Sequence, residues 1–256
     1  MTVNPYQKYI DYYFQRLLEL RHRAYRINSV LRDAKKEFEY VKDDEILSAS
    51  ALIISDWSGS EVNLFGRNYH TGVFSRTRGR DYKQEIDHIL SFQCCSSFAQ
   101  GYEALEKLLK DLVYLKSQKD NKFYEKVQAK HDRVVSRATL RGGDVLFRLC
   151  KLACGSSYRH LQKVNLKTLW SLLSDVRHAI THSSSLIKYS KLTSSHEKLG
   201  LFKQLFYCSK IGKEHVLIEI DYKNLDSLIK VLAEFGFQFF KLTSREDKLD
   251  WDILRK

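Results

Sequence analysis

The sequence predicts a mainly α-helical fold with a long N-terminal helix and a small C-terminal β-hairpin followed by a helix. Helix breakers are rare, since the 256 residues include one proline and eleven glycines. Apolar residues recur at helical spacing through most of the chain. We expect a helical domain over 1–190, with 56–82 as an inserted basic loop, and a small α/β extension over 191–256.

The clearest helical pattern runs from Ile10 to Val41. Two apolar series repeat there every seven residues and are displaced by three, as on the seam of a long packed helix. They are Ile10, Leu17, Ala24, Leu31 and Phe38, and Tyr13, Leu20, Ile27, Ala34 and Val41. A parallel homodimeric coiled coil is one interpretation, but flanking cations such as Arg16, Arg23 and Lys35 would repel across it. Packing against another helix of the same domain is favoured.

The segment 56–82 has a different composition, with four glycines, four arginines and five aromatic residues. Arginines between aromatic rings can hold phosphates while the rings stack on unpaired bases. The candidate RNA-binding residues are Arg67, Arg76, Arg78 and Arg80. The alternative is a connecting loop or a small hairpin whose aromatic side chains enter the core.

Further helices and one hairpin are predicted after this segment. The predicted helices are Tyr82 to Leu115, Tyr124 to Ser136, Val145 to Cys154, Leu166 to Ile187 and Leu225 to Phe240. Phe202 to Ser209 and His215 to Asp221 are rich in β-forming residues, and the glycine between them suits a turn. We therefore expect these two segments to pair as an antiparallel hairpin.

The helix predicted from Leu166 to Ile187 has two distinct faces. At about 100° per residue, its apolar residues form one face, namely Leu169, Leu172, Leu173, Val176 and Ile180. Asp175, His178 and His182 fall within roughly 60° of one another on the opposite side. Arg177 projects from the flank, roughly 140° around from His182. Solvent-exposed surface histidines are the simpler interpretation of this column, and a catalytic site is the other.

The six residues Arg177 to His182 resemble the Arg-x4-6-His signature of HEPN domains, which are all-α modules of many prokaryotic ribonucleases, toxins and defence proteins. The preceding segment 96–115, SSFAQGYEALEKLLKDLVYL, is similar to the family's earlier helix with its acidic residue, here Glu103. The resemblance covers about 85–187 and implies a HEPN-like helical bundle. It also implies that Arg177 and His182 are the catalytic pair and that His178 is the adjacent polar residue.

The activity implied by the resemblance is metal-independent endoribonuclease cleavage through the ribose 2′-OH. His182 would act as general base or acid, because imidazole exchanges protons near neutral pH. Arg177 would stabilise the charge on the scissile phosphate. Asp175 and His178 would orient His182, and Glu103 would brace Arg177. A homodimer would supply a second histidine across a composite cleft.

The biological setting implied by the resemblance is that of a toxin or a phage-defence effector, with an antitoxin or a defence-system protein as a partner. Toxins of this family that are regulated by a nucleotidyltransferase carry a tyrosine two residues after the motif histidine. This position is Ser184, so that modification is not expected. The alternative function is a non-catalytic HEPN-like module that binds RNA or a protein.

Composition limits the other function classes. The net charge of +12 suits an RNA partner, although scattered lysines also serve solubility. The cysteines lack the spacing of a zinc site, so we expect reduced buried thiols, no metal and no cofactor. No apolar run approaches the length of a membrane span, and the first residues do not resemble a signal peptide. We therefore expect a cytoplasmic protein without membrane contact.

Overall fold

The computed structural model describes residues 4–37, 40–55, 68–129, 135–140, 142–160 and 165–252. Most of them are helical. The chain divides into two units, one made of Met1–Arg26 and Ser91–Lys256 and the other of Ile27–Leu90. This division differs from the boundary after residue 190 that the sequence suggests. None of the helices in the described part of the chain is both long and apolar enough to span a membrane.

The helices of the structure are α1 to α8, with one short 3₁₀ helix between α4 and α5. Their bounds are α1 Gln7–Glu37, α2 Gly79–Lys119, α3 Asn121–Gln128, α4 Gly143–Ala153, the 3₁₀ helix Gly155–His160, α5 Leu166–His182, α6 Tyr189–Leu192, α7 His196–Leu205 and α8 Tyr222–Glu246. The predicted helix from Tyr124 to Ser136 is thus too long, since α3 ends at Gln128.

The core of the larger unit is built around the indole of Trp170 on α5, which is fully buried. Its ring centroid lies 5.1 Å from that of Tyr102 on α2 and 5.8 Å from that of Phe235 on α8. The indole nitrogen donates a hydrogen bond of 3.1 Å to the carbonyl oxygen of Gly143. Because the indole contacts α2, α4 and α8 and its polar atom is paired, it fixes how these three helices pack against α5.

The N-terminal part of α1 packs within the larger unit. Its buried side chains are Ile10, Tyr13, Leu17, Leu20 and Ala24, all on the predicted heptad seam. The Tyr13 hydroxyl donates a 2.6 Å hydrogen bond to the carbonyl of Leu232 on α8. The seam residues Ile27, Leu31 and Ala34, which follow in the second unit, are only partly buried. Packing inside one chain therefore accounts for the first half of the seam.

The smaller unit contains a long antiparallel hairpin of β1, Ile46–Ser55, and β2, Asn68–Arg78. The sequence did not predict β1. The inserted loop expected over 56–82 is wrong for residues 68–82, which form β2 and the first turn of α2, and only the alternative of a small hairpin allowed for a strand there. Residues 56–67 lie outside the described residues. Tyr69 and Phe74 are exposed on β2, so these two rings do not enter a core.

The end of α5 also differs from the prediction. The helix stops at His182 rather than at Ile187. Ser183 donates its backbone N–H to the Ala179 carbonyl, and Ser184 and Ser185 then adopt positive φ angles of 49° and 64°. Three consecutive serines favour this ending, because serine hydroxyls compete with helical hydrogen bonds. The chain continues as strand β3, Leu186–Lys188.

The C-terminal hairpin is present but smaller than predicted. The prediction of a strand over Phe202–Ser209 is wrong, because Phe202 belongs to α7, whose N-cap Ser195 accepts a hydrogen bond from the Lys198 backbone. The strands are β4, Lys210–Ile211, and β5, His215–Leu217. Strand β5 lies between β3 and β4, with both pairs antiparallel. Asp221 caps α8, which is longer at both ends than predicted.

Candidate functional site

The burial pattern of α5 determines where its polar side chains point. The helix begins after Asn165, whose side chain accepts a hydrogen bond from the Thr168 backbone. Its buried residues include the predicted apolar positions 169, 172, 173 and 176, and Trp170 and Ala179 as well. His178 and His182 are exposed. The core contacts of α5 therefore leave its last two turns with a histidine face open to solvent.

The two histidines form a close pair on this face. His178 and His182 are one turn apart, and their ring centroids are separated by 4.9 Å with a tilt of 48°. This matches the helical projection, in which residues four apart lie above one another. Two exposed imidazoles at this separation can exchange protons with the same bound group.

Arg177 points toward α2. Its Nη2 atom donates a 2.8 Å hydrogen bond to Oε1 of Glu103, and its side chain is 28% exposed. The Nε atom of Arg177 is buried and has no hydrogen-bond partner among the described residues. Glu103 itself is half exposed. The structure thus brings Arg177 and Glu103 together, with the guanidinium held on one side and not fully satisfied.

A groove of about 370 Å³ lies beside this ion pair. We call it the α2 groove. Its lining combines cations and carboxylates from α2 with Arg177 of α5 and Arg137, and the residues are Glu103, Glu106, Lys107, Lys110, Asp111, Arg137 and Arg177. Lys110 pairs with Glu106 at 2.9 Å, and Arg137 pairs with Asp111 at 2.9 Å. The groove therefore presents several cations whose positions are set by neighbouring carboxylates.

Asp175 is used differently from the expectation. Its carboxylate accepts a 2.6 Å hydrogen bond from Nζ of Lys198 on α7, and the same ammonium donates to Ser171. The Lys198 side chain is only 8% exposed. Among the described residues, this ammonium is the hydrogen-bond partner of Asp175. The carboxylate therefore neutralises a buried charge and joins α5 to α7, which is not the contact with His182 that the sequence suggests.

The candidate RNA-binding arginines belong to the smaller unit, apart from Arg67, which lies outside the described residues. The Arg76 guanidinium lies over the Phe74 ring at 4.9 Å from its centroid. Arg78 ends β2, and Arg80 in the first turn of α2 pairs with Asp81 at 3.6 Å. This contact places one arginine over one aromatic ring on β2, and RNA binding by these arginines stays a prediction.

Sequence reasoning missed the cations of the α2 groove. Lys107 and Lys110 follow Glu103 by four and seven residues, so a helical projection of α2 would have placed them on one face. Arg137 had no comparable signal, because it lies in a non-helical segment. Its guanidinium carbon is 5.4 Å from the Tyr9 ring centroid and 5.2 Å from that of Tyr114. Only tertiary packing brings these groups together.

The cysteines lie apart from this site chemistry. Cys94, Cys95, Cys150 and Cys154 are buried, and Cys208 is partly exposed. Burial raises the pKa of Cys94 to about 12 and that of Cys95 to about 11. Such thiols are poor nucleophiles at neutral pH. Within the described ranges, no group of three or more His, Cys, Asp or Glu side chains is arranged to hold a metal ion.

Comparison of the chain with protein-family models, with curated proteins and with solved structures gives no match. The functional interpretation is therefore drawn from the residues themselves. The candidate residues are Arg177, His178 and His182 on α5 and Glu103 on α2.

Proposed function

We propose that this protein is a metal-independent endoribonuclease of the HEPN type. The observation that carries the proposal is the pair of exposed histidine rings 4.9 Å apart on α5, together with the arginine that precedes His178 in the sequence. That arginine, Arg177, is held by Glu103 at the edge of a cation-lined groove. These are the groups that RNA cleavage needs, since the substrate carries its own nucleophile.

The proposed reaction is an attack of the ribose 2′-oxygen on the adjacent phosphorus. His182 removes the 2′-OH proton as the new O–P bond forms. The bond from phosphorus to the 5′-oxygen of the next nucleotide breaks, and that oxygen takes up a proton from an imidazolium. The products are a 2′,3′-cyclic phosphate and a free 5′-OH, so no metal-bound water is required.

Arg177 acts on the phosphate in this proposal. Charge builds on the non-bridging oxygens in the transition state, and a guanidinium can donate charge-assisted hydrogen bonds to them. Glu103 holds one edge of the guanidinium, which limits its side-chain freedom. The Arg177 side chain is 28% exposed, and a phosphate would approach it through that exposed part.

Two proton transfers need two groups, and His178 and His182 are exposed together on one face. A second copy of the chain, placed with its α5 face against the first, would add a second His182 to the cleft. We propose a homodimer in which the second His182, rather than His178, makes the second proton transfer. We also propose a toxin or phage-defence setting with an antitoxin or defence-system partner. Sedimentation velocity tests the dimer: an active enzyme that sediments as a monomer would contradict a composite site.

The activity is tested with mixed single-stranded RNAs in EDTA. We expect cleavage by the wild type and a loss of about 10²–10³ in rate for Arg177→Ala and for His182→Ala, the range seen when one charge-stabilising or proton-transferring group is removed. His196→Ala is the matched control, because His196 is an exposed histidine on another helix. Replacing the ribose at the cleaved bond by 2′-deoxyribose should abolish cleavage there. Unchanged cleavage in both site variants would disprove the assignment.

One observation favours a second candidate, a non-catalytic module that binds RNA or a protein. Arg177 already has a carboxylate partner at 2.8 Å, and a phosphate must compete with it. If purified protein binds RNA but cleaves no RNA sequence under these conditions, the binding module is the better assignment. Glu103→Gln should tighten RNA binding, since a phosphate would then no longer compete with this carboxylate for Arg177.

A further inference from the structure

A second depression adjoins the α2 groove. It measures about 210 Å³ and is lined on the α1 side by Tyr9, Tyr12 and Arg16. We call it the tyrosine pocket. Glu103, Lys107 and Asp111 line both depressions, so they share one wall on α2. All of these residues belong to the larger unit.

Tyr12 is the most exposed ring of this pocket. Its neighbour Tyr13 is buried, whereas Tyr12 is 57% exposed. The ammonium of Lys107 lies over the Tyr12 ring, 4.8 Å from its centroid, so a base would stack on the part of the ring that Lys107 leaves uncovered. The ring therefore presents aromatic surface to solvent beside a cation, which is the pairing that single-stranded nucleic-acid sites use for a base and its phosphate.

Arg137 supplies a fixed cation at the junction of the two depressions. It donates a 2.7 Å hydrogen bond to the Tyr9 hydroxyl and pairs with Asp111, yet it remains half exposed. Burial raises the pKa of the Asp111 carboxyl, and the nearby cations Arg137, Lys107 and Lys8 offset only part of that rise. Because aromatic rings and a carboxylate hold the guanidinium, little side-chain freedom remains to be lost when a ligand binds.

We propose that the tyrosine pocket and the α2 groove form one binding site for single-stranded RNA. One base stacks on Tyr12, and the following phosphates contact Lys107 and Arg137 on the way to Arg177. The inference deepens the proposed function and rests on it, because it delivers the strand to the arginine of that site. From Glu103 to Lys110 the α2 wall is about 10 Å long, at 1.5 Å per residue.

The geometry selects single strands over duplexes. A base can stack on a tyrosine ring only if it is unpaired and unstacked from its neighbours. The carboxylates of Glu103, Glu106 and Asp111 also offset part of the positive charge in the site. A site of this composition binds polyanions only weakly through charge alone, so base stacking must contribute to its affinity for RNA.

The test measures the binding of a fluorescein-labelled RNA 12-mer of mixed sequence by fluorescence anisotropy. Every nucleotide of this RNA carries a 2′-O-methyl group, which removes the attacking hydroxyl and prevents cleavage. We expect Tyr12→Ala to weaken binding roughly 5- to 150-fold, which corresponds to about 1–3 kcal/mol for one stacked base. Tyr12→Phe retains the ring and should stay within about twofold of the wild type. The matching duplex should bind more weakly than the single strand.

Tyr25→Ala is the matched control. Tyr25 lies on the same helix and is 53% exposed, but it contacts Tyr222 and does not line either depression. Binding by this variant should equal that of the wild type. Lys107→Gln should reduce the magnitude of the slope of log affinity against log salt concentration by about 1, as expected for the loss of one phosphate contact.

The outcomes separate this inference from the ribonuclease proposal. If Tyr12→Ala binds RNA as tightly as the wild type while cleavage still depends on His182, the RNA site is overturned and the ribonuclease proposal is retained. Binding that depends on Tyr12, without cleavage of any RNA, would support the RNA site and refute the ribonuclease. Equal loss of binding in Tyr12→Ala and Tyr25→Ala would also overturn the site, because the effect would not belong to the pocket.

Discussion

The packing of α8 against α1 and α2 depends on the absence of a side chain at Gly236. A Cβ atom at this position would lie 2.6 Å from Cε1 of Tyr13 and 3.0 Å from Cδ2 of Leu108. The Tyr13 ring cannot move aside freely, because it is 2% exposed and its hydroxyl is bonded to Leu232 at 2.6 Å. We therefore expect Gly236→Ala to destabilise the protein although alanine is the better helix former.

The expected size of the effect follows from opposing contributions. Alanine should gain about 1 kcal/mol of helix propensity over glycine. Overpacking costs about 1–3 kcal/mol, and loss of the Tyr13 hydrogen bond in a buried site costs about 1–3 kcal/mol more. The net change is a loss of about 1–5 kcal/mol in the free energy of unfolding.

Urea unfolding followed by far-ultraviolet circular dichroism measures this change. Gly200→Ala is the control, because Gly200 is exposed on α7 and an added Cβ would meet no atom within 4 Å. It should raise the free energy of unfolding by up to about 1 kcal/mol. A Gly236→Ala variant as stable as the wild type would show that α8 does not approach α1 closely enough for a methyl group to clash.

Three other predictions concern the fold and the thiols. Asp175→Asn should lower the free energy of unfolding by about 2–4 kcal/mol, because it leaves the buried Lys198 ammonium without its carboxylate. Lys198→Met removes that ammonium and should cost less, and urea unfolding measures both variants. Asp221→Ala removes the N-cap of α8 and should cost about 0.5–2 kcal/mol in the same assay. In native protein at pH 8, a disulfide thiol reagent should modify Cys208 first, since the other cysteines are buried. The reaction of Cys208 should appear as a fast phase in the absorbance of the released reagent, and Cys208→Ser should remove that phase.

Periodic burial explains what the sequence predicts well. On α5 the apolar residues that project to one face are the buried ones, so the exposed positions of His178 and His182 follow from spacing alone. The end of this helix could not be predicted from spacing, because it depends on the hydrogen bonds around Ser183 and on the pairing of Leu186–Lys188 with β5. The strand β5 lies about thirty residues later in the chain.

The hairpin of β1 and β2 shows a different limit. Strand β2 exposes residues on both faces, among them Tyr69, Val73 and Phe74, so it has no alternation of apolar and polar residues for a pattern to detect. Its partner β1 is joined to it through residues 56–67. Glycines and arginines in the segment suggested a loop, whereas pairing with β1 determines the actual conformation.

The contact between α2 and α5 explains why the arginine and the glutamate of the site meet. Successive residues of a helix project about 100° apart, so fixing one side chain fixes the direction of the next. Tyr102 is buried with its ring 5.1 Å from Trp170, and this core contact sets the rotation of α2 about its own axis. Glu103, the next residue, then projects from the edge of the interface, where Arg177 reaches it from two turns beyond Trp170 on α5. The sequence showed a motif on one helix, but the core pairing of two aromatic rings determines which carboxylate that motif meets.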